Sequence, residues 1–502
     1  MSVRQHLIGL ATAVLLLLGG FSAVRRYPVL FDYWDAGYPD SYILHTARRF
    51  LNTGTIYHEL GTDPMVPAIY GPATYLTFAA AWKLPAVGIP FFWPRVLPLL
   101  ALLASAFVCA STARVLYRNR WAPWWAFALT LYSCSPGTFV WQTRGDFFAC
   151  LLSLSAIRLL LAGSAGAAAV AGICAGLAPL YKLSYVSAMA AGAIVLLLRR
   201  SRLLIPFLSA AVAVFVSTHL LTLLAQPFFV DHHRLLFGIM SSTLDGWRAI
   251  VKPALLSPAA ISCAIVVVMF PAASLRGGGL VAAYGLISLL VAAVASTQVG
   301  ANVNYFFEPL MAMAAIGSAL PVVFGFLFVR RRRLPALRLV SAGVFAFTLL
   351  YVLVPLVRAM ETIRTPKPEH RAAACLETLH QTSAVLSFVP RLSLFDDSAP
   401  LTEPFFVEAA AQKGHPLRRQ LQARILAAEF DVVLLPVSIP ETRYRGIMHV
   451  HETTLECIRS RYEPFAVTPA AAIHVRRDDA RVKSLVREWL EKRCPDSVTT
   501  SR

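Results

Sequence analysis

Residues 31–57 read FDYWDAGYPDSYILHTARRFLNTGTIY. Three aspartates, Asp32, Asp35 and Asp40, stand among Phe31, Tyr33, Trp34, Tyr38 and Tyr42, just beyond an apolar run at 5–24. A helical pattern follows, with Ile43, Ala47, Phe50 and Leu51 on one face and His45, Arg48, Arg49 and Asn52 on the other, which predicts a helix lying in a membrane interface. Acids are scarce around this stretch. Residues 1–358 hold nine: Asp32, Asp35, Asp40, Glu59, Asp63, Asp146, Asp231, Asp245 and Glu308. Carboxylates are costly in hydrocarbon, so those kept beside a membrane are candidates for chemistry.

Working outward, the 502-residue chain is 57% hydrophobic with a mean hydropathy of +0.61. Several apolar runs approach the ~20 residues that cross a bilayer. Spans are expected at 5–24, 95–117, 121–141, 146–162, 167–182, 184–198, 203–224, 254–273, 279–297, 305–328 and 335–357. The net charge of +19 is concentrated in residues 1–358, where 26 Lys and Arg face nine acids. With Arg4 on the cytoplasmic side, alternation puts Arg118/Arg120, Arg199/Arg200/Arg202, Arg276 and Arg330 to Arg333 in cytoplasmic loops. All nine acids then fall outside. The excess charge is thus a topology signal and not a nucleic-acid-binding face. The expectation is an α-helical polytopic membrane protein of about 11 transmembrane helices, in a bacterial plasma membrane. The first helix is expected to be retained, since no small-residue cleavage pattern follows it.

Two domains are expected. Residues 1–358 form the membrane domain, whose external loop 25–94 carries interfacial helices, including the apolar but short GPATYLTFAAAWKLP at 72–86. Residues 359–502 shift to soluble composition and form a small extracytoplasmic α/β domain. There AVLSF and FDVVLLP are strand-like, whereas RRQLQARILAAEF, HETTLECIRSRY and DARVKSLVREWLEK are helix-like. Of the eight cysteines, Cys109, Cys134, Cys150, Cys174 and Cys263 lie in or beside spans as packing residues. Cys375, Cys457 and Cys494 lie outside and have no metal-ligand spacing.

Several positions could carry chemistry. Aspartate is common in solvated loops, but a carboxylate beside aromatic surface is partly desolvated and becomes a better base or metal ligand. Asp146 opens the fourth span, two residues after Arg144, where it serves equally well as a helix cap. Lys182 interrupts the apolar LAPLYKLSYV; it either snorkels to the interface or meets a phosphate as a point charge. In QVGANVNYFFEP, Asn302, Asn304, Tyr305 and Glu308 gather polar groups and a ring suited to a carbohydrate wall. No P-loop, G-x-S-x-G, H-E-x-x-H or C-x-x-C occurs, so ATP-driven transport, serine hydrolysis and zinc proteolysis have no motif support.

Taken in order, these features resemble the polytopic GT-C glycosyltransferases, the superfamily of the lipid A aminoarabinose transferases and protein O-mannosyltransferases. Asp40 precedes a helix ending in GTIY with Gly54 and Tyr57; Ile69, Tyr70, Gly71, Pro72 and Tyr75 lead into a second interfacial helix. Asp146 in TRGDFFACLL, Lys182 and NYFFEP follow. The resemblance implies transfer of a sugar from a polyprenyl-phosphate donor to a glycan, lipid or protein acceptor at the external face. It implies catalytic roles for Asp40 first, Asp35 second, and Asp146. Lys182 and Arg144 would hold the donor phosphate, and Tyr70, Asn304, Tyr305 and Glu308 the substrate. Asp32, Asp35 and Asp146 would hold a divalent metal cation. A transporter or flippase of lipid-linked saccharide is the alternative; such proteins tend to place charges near the midplane and to carry inverted repeats, neither of which is visible here.

Overall fold

A computed structural model describes residues 3–24, 40–62, 65–85, 91–135, 139–239, 245–269, 278–297 and 302–321. In the C-terminal region it describes chiefly 383–388, 414–435, 450–468 and 471–493. Asp32 and Asp35, all four arginines 330–333, and the expected span 335–357 lie outside the described residues.

The chain divides into two compact units: residues 1–27, 95–220 and 244–364 form the first, and 28–94, 221–243 and 365–502 the second. Helices α1 (Val3–Val24), α4 (Phe92–Tyr117), α5 (Ala122–Ser133), α6 (Asp146–Leu160), α7 (Ala165–Leu177), α8 (Ser187–Leu198) and α9 (Leu204–Ala225) overlap the expected spans, α5 covering only the first part of the one expected at 121–141. So do α12 (Pro258–Met269), α13 (Gly279–Ala295) and α14 (Phe307–Gly317). By length and composition α4 and α9 are long and apolar enough to cross a membrane. Their side chains carry the reason: Ile205, Leu221 and Leu224 on α9 are mostly exposed, as a lipid-facing surface requires.

Within the first unit, α1 packs on α5, α6 on α7, α12 and α13 on α14, and α8 on α13. Small residues make the close approaches. A Cβ on Gly172 would run into the Phe207 carbonyl oxygen, and one on Gly176 would stand 2.6 Å from the Ala211 oxygen. The two glycines are one helical turn apart, so α7 presents a flat strip to α9. Hydrogen bonds between helices are few and specific. Trp125 Nε1 donates to Thr12 Oγ1 (2.8 Å), Arg158 Nε to Ser111 Oγ (2.8 Å) and Tyr117 Oη to the Ile316 carbonyl (2.9 Å).

In the second unit α2 (Asp40–Thr53) packs on α3 (Pro72–Trp82). Pro72 sits in the first turn of α3, where its missing N–H costs nothing. The first half of α2 is buried on every side, His45 included, and in its second half Phe50 and Leu51 are half-buried just as Arg48 and Arg49 are, so the two-faced pattern expected from the sequence does not appear in the burial of α2. The stretch 225–253, between the spans expected at 203–224 and 254–273, is mostly helical, forming α10 (Phe229–Ile239) and α11 (Asp245–Leu255), the latter belonging to the first unit.

Also in the second unit is a five-stranded sheet of order β1 (Val385–Ser387), β2 (Val432–Leu435), β6 (Ala472–Arg476), β5 (Tyr462–Val467), β7 (Thr499–Thr500). Strands β1 and β2 are parallel and the other pairs antiparallel. A separate two-stranded ribbon joins β3 (Arg443–Tyr444) to β4 (Ile447–Met448). One sheet face, with Val432, Leu434, Ile473 and Val475, buries Val482, Val486 and Leu490 of α17 (Ala480–Arg493). Helices α15 (Leu417–Leu426) and α16 (Glu452–Arg461) pack on each other.

Candidate active site

In the first unit the polar residues singled out in the sequence meet around Asp146. The N-cap of α6 is Gly145, and no side chain caps the helix. The Asp146 carboxylate is therefore released from capping, and its Oδ1 accepts three hydrogen bonds. Lys182 Nζ donates at 3.0 Å, Asn304 Nδ2 at 3.0 Å and Tyr185 Oη at 3.1 Å. Asp146 is 1% exposed and Lys182 13%, so this is a buried ion pair, supported at Oδ1 by two further donors that offset part of the cost of burying the charge. Oδ2 of Asp146 is buried and has no hydrogen-bond partner among the described residues.

Local sequence explains the convergence. Phe147, next to Asp146, stacks on Phe307 at 4.9 Å and 11°, which holds the start of α6 against the start of α14. The turn Val303–Phe306 just before α14 then delivers Asn304 and Tyr305. Its N-cap is Asn302, whose Oδ1 accepts from the Val303 N–H. Lys182 follows the short turn Ala178–Leu180 at the end of α7, and its Nζ lies 3.7 Å from the centre of the Tyr305 ring. That is a cation–π contact added to an ion pair. Arg144 lies over the Phe139 ring at 5.0 Å. Glu308 sits one turn beyond Asn304 and is buried, facing the hydroxyls of Ser153, Tyr284 and Ser187. Tyr185 was missed in the sequence, because a tyrosine at the head of an apolar span carries no motif.

The second unit holds Asp40, Tyr57 and Tyr70. Asp40 opens α2 and is 1% exposed. The GTIY turn is built on two side chains that the sequence did not single out as its partners. Gly54, at φ +72°, closes α2 by donating to the Phe50 carbonyl (2.8 Å). Gln226 Oε1 then accepts from the Ile56 and Tyr57 N–H groups (2.8 and 3.2 Å), while its Nε2 donates to the Gly54 carbonyl (3.0 Å). Tyr57 Oη donates to the Tyr70 carbonyl (2.7 Å), and the Tyr70 N–H donates to Tyr75 Oη (3.2 Å).

His232 completes this clamp. The Ala68 N–H donates to its Nδ1 (2.8 Å), so that nitrogen carries no proton, and Nε2–H donates to the His58 carbonyl (2.6 Å). Burial, reinforced by His233 and Arg49, pushes His232 down to about 4, against the opposing pull of the His58 carbonyl and Asp231. The imidazole is neutral here and serves as a two-ended staple.

Among the described residues no three His, Cys, Asp or Glu side chains gather as a metal cage. Asp146, the described member of the expected trio with Asp32 and Asp35, already has the Lys182 ammonium on Oδ1.

The bundle with its buried acid–lysine pair has the fold of the GT-C glycosyltransferases, a multi-pass membrane fold. Two solved structures illustrate it. ArnT from Cupriavidus metallidurans, bound to undecaprenyl phosphate, superposes with a TM-score of 0.59 at 13% identity, covering 96% of this chain and 99% of that one. Archaeal oligosaccharyltransferase AglB from Archaeoglobus fulgidus, in complex with an inhibitory peptide and a dolichol-phosphate, gives 0.52 at 12% identity, covering 95% and 75%. No protein-family model matches the sequence, and no curated protein matches it.

Proposed function

We propose that this chain is a membrane glycosyltransferase that moves a sugar from a polyprenyl-phosphate-linked donor to a lipid, glycan or protein acceptor at the extracytoplasmic face of a bacterial plasma membrane. The observation that carries this reading is the Asp146–Lys182 pair held by Asn304 and Tyr185 in a GT-C fold. An ammonium fixed in a buried setting is preorganised for the charge that a departing phosphate carries. The undecaprenyl phosphate in ArnT and the dolichol-phosphate in AglB support a lipid phosphate as the ligand.

In the proposed reaction the acceptor hydroxyl oxygen attacks the anomeric carbon as the bond from that carbon to the phosphate oxygen breaks. Asp40, or Asp35 in second preference, takes the hydroxyl proton. The leaving polyprenyl phosphate keeps the bonding electrons, and Lys182 meets its charge, with Arg144 as a second cation. Tyr305, Asn304 and Tyr70 are the proposed sugar contacts. Oδ2 of Asp146, buried and without a hydrogen-bond partner among the described residues, would be its ligand to a divalent cation; Asp32 and Asp35 are further proposed ligands, and no step is routed through a metal. Eleven spans would leave residues 359–502 outside as a separate α/β domain. Labelling by an impermeant thiol reagent of cysteines introduced at Asp231 but not at Ser201 would support that sidedness.

The deciding assay supplies labelled polyprenyl-phosphate sugar to membranes containing wild type, Asp40→Asn, Asp146→Asn or Lys182→Met. Each substitution is expected to lower transfer by about 100-fold or more. Transfer that survives both aspartate changes sinks the assignment, and movement of lipid-linked sugar with no glycosidic bond formed favours a flippase.

A further inference from the structure

Glu308 is not turned toward the Asp146–Lys182 pair. Its carboxyl is 3% exposed and faces Ser153 of α6, Tyr284 of α13 and Ser187 of α8. All three are fully buried, and neither their hydroxyls nor Glu308 Oε1 has a partner elsewhere among the described residues; the hydroxyls lie beside the carboxyl, just outside ideal hydrogen-bond geometry. Four helices therefore place a polar group at one point inside an apolar bundle, where an isolated carboxylate or hydroxyl is expensive. Three hydroxyls gathered around one carboxyl, each a hydroxyl rotation or small side-chain shift away from donating to it, are the arrangement that offsets that expense. No ion pair to Glu308 exists among the described residues, so the attraction is hydrogen bonding and not charge pairing.

The place of this hub matters. Asn304, which donates to Asp146, precedes Glu308 by one turn. Asp146 precedes Ser153 by two turns on α6, and Lys182 and Tyr185 immediately precede Ser187 at the head of α8. Each element that supplies a partner to the ion pair is thus tied at Glu308 a short way further along. Tyr284 adds α13, which packs on both α8 and α14.

We propose that Glu308 is a positioning residue: with Ser153, Ser187 and Tyr284 it fixes the turn 303–306, and through Asn304 it holds Asp146 and Lys182 in register. This rests on the reading of that pair as the lipid-phosphate site. It also takes Glu308 out of the proposed sugar contacts, since its buried carboxyl faces protein hydroxyls. The hub works by accepting hydrogen bonds, so a carboxamide oxygen can replace it and an alkyl group cannot. Loss of the hub shifts Asn304 by a fraction of an ångström to an ångström, enough to cost one to two decades in binding or rate.

The test uses the purified full chain in nanodiscs, with undecaprenyl phosphate as the probe and hydrogen–deuterium exchange as a ligand-free readout. Glu308→Leu is expected to raise exchange across 303–306 by about tenfold, while Glu308→Gln stays within about twofold of wild type. The Kd for undecaprenyl phosphate is expected to rise about tenfold in Glu308→Leu and in Asn304→Ala, with the double variant no worse than Asn304→Ala alone. Unchanged exchange in Glu308→Leu, additive losses in the double variant, or Glu308→Gln as harmful as Glu308→Leu each overturn the proposal. Wild-type binding by Lys182→Met defeats the phosphate reading alone, and the exchange arm still decides the role of Glu308.

Discussion

Lys182 holds two partners at once, the Asp146 carboxylate at 3.0 Å and the Tyr305 ring face at 3.7 Å. Replacing it with methionine keeps most of the bulk and leaves a buried carboxylate without counter-charge, a loss of about 3–5 kcal/mol. Tyr185→Phe removes one of the three donors to Asp146 and the acceptor of the Cys150 thiol, for about 1–3 kcal/mol. Thermal unfolding in detergent should therefore rank Lys182→Met well below Tyr185→Phe, and the reverse order contradicts the geometry. His232 makes the pH dependence explicit. Its proton affinity is lower in the folded chain than in the unfolded one, so the folded state binds fewer protons. The stabilisation, about 3 kcal/mol in full, is present above about pH 6.5 and fades as pH falls toward 4. A melting temperature that drops between pH 6.5 and 4.5 in wild type, and drops less in His232→Gln, is the expected result. Asp146, Lys182 and Asn304 were legible in the sequence because acid, ammonium and amide are rare in apolar spans. Which of two readings applied to Asp146, cap or ligand, needed the backbone: Gly145 occupies the cap.

At the scale of elements, hydropathy located most of the long apolar helices, of which α4 and α9 have the length and composition to cross a membrane. It could not see what α10 and α11 do, since a polar stretch between spans is equally compatible with coil. Strands β5 and β6 were likewise missed, although buried Ile473 and Val475 alternate with half-buried neighbours; Pro464 and a register shift beside it break the pattern of β5. Helix pairing was not legible either, because a glycine in an apolar helix reads the same whether or not another backbone lies against it. Gly176→Val is expected to push α7 from α9 and cost about 1–3 kcal/mol as an overpacked contact, whereas Gly166→Ala meets nothing within 4 Å and should be neutral. Melting temperatures of the two variants side by side check this.

For the molecule as a whole, composition and charge asymmetry sufficed to class the chain as a polytopic membrane protein, and five segments of the tail read as strands or helices form β1, β2, α15, α16 and α17. What stayed hidden was long-range closure. The turn 54–57 and the backbone at Ala68 are finished by Gln226 and His232, about 170 residues later in the chain. Synthesis runs from the amino end, so a ribosome must deliver seven apolar stretches before either staple exists. During that interval the Ile56, Tyr57 and Ala68 N–H groups depend on water or on a chaperone. A nascent chain arrested at residue 220 should be cut by protease between 54 and 70, and one arrested past residue 260 should resist. The first loop made is thus among the last to mature, which gives biogenesis a checkpoint at the seventh insertion.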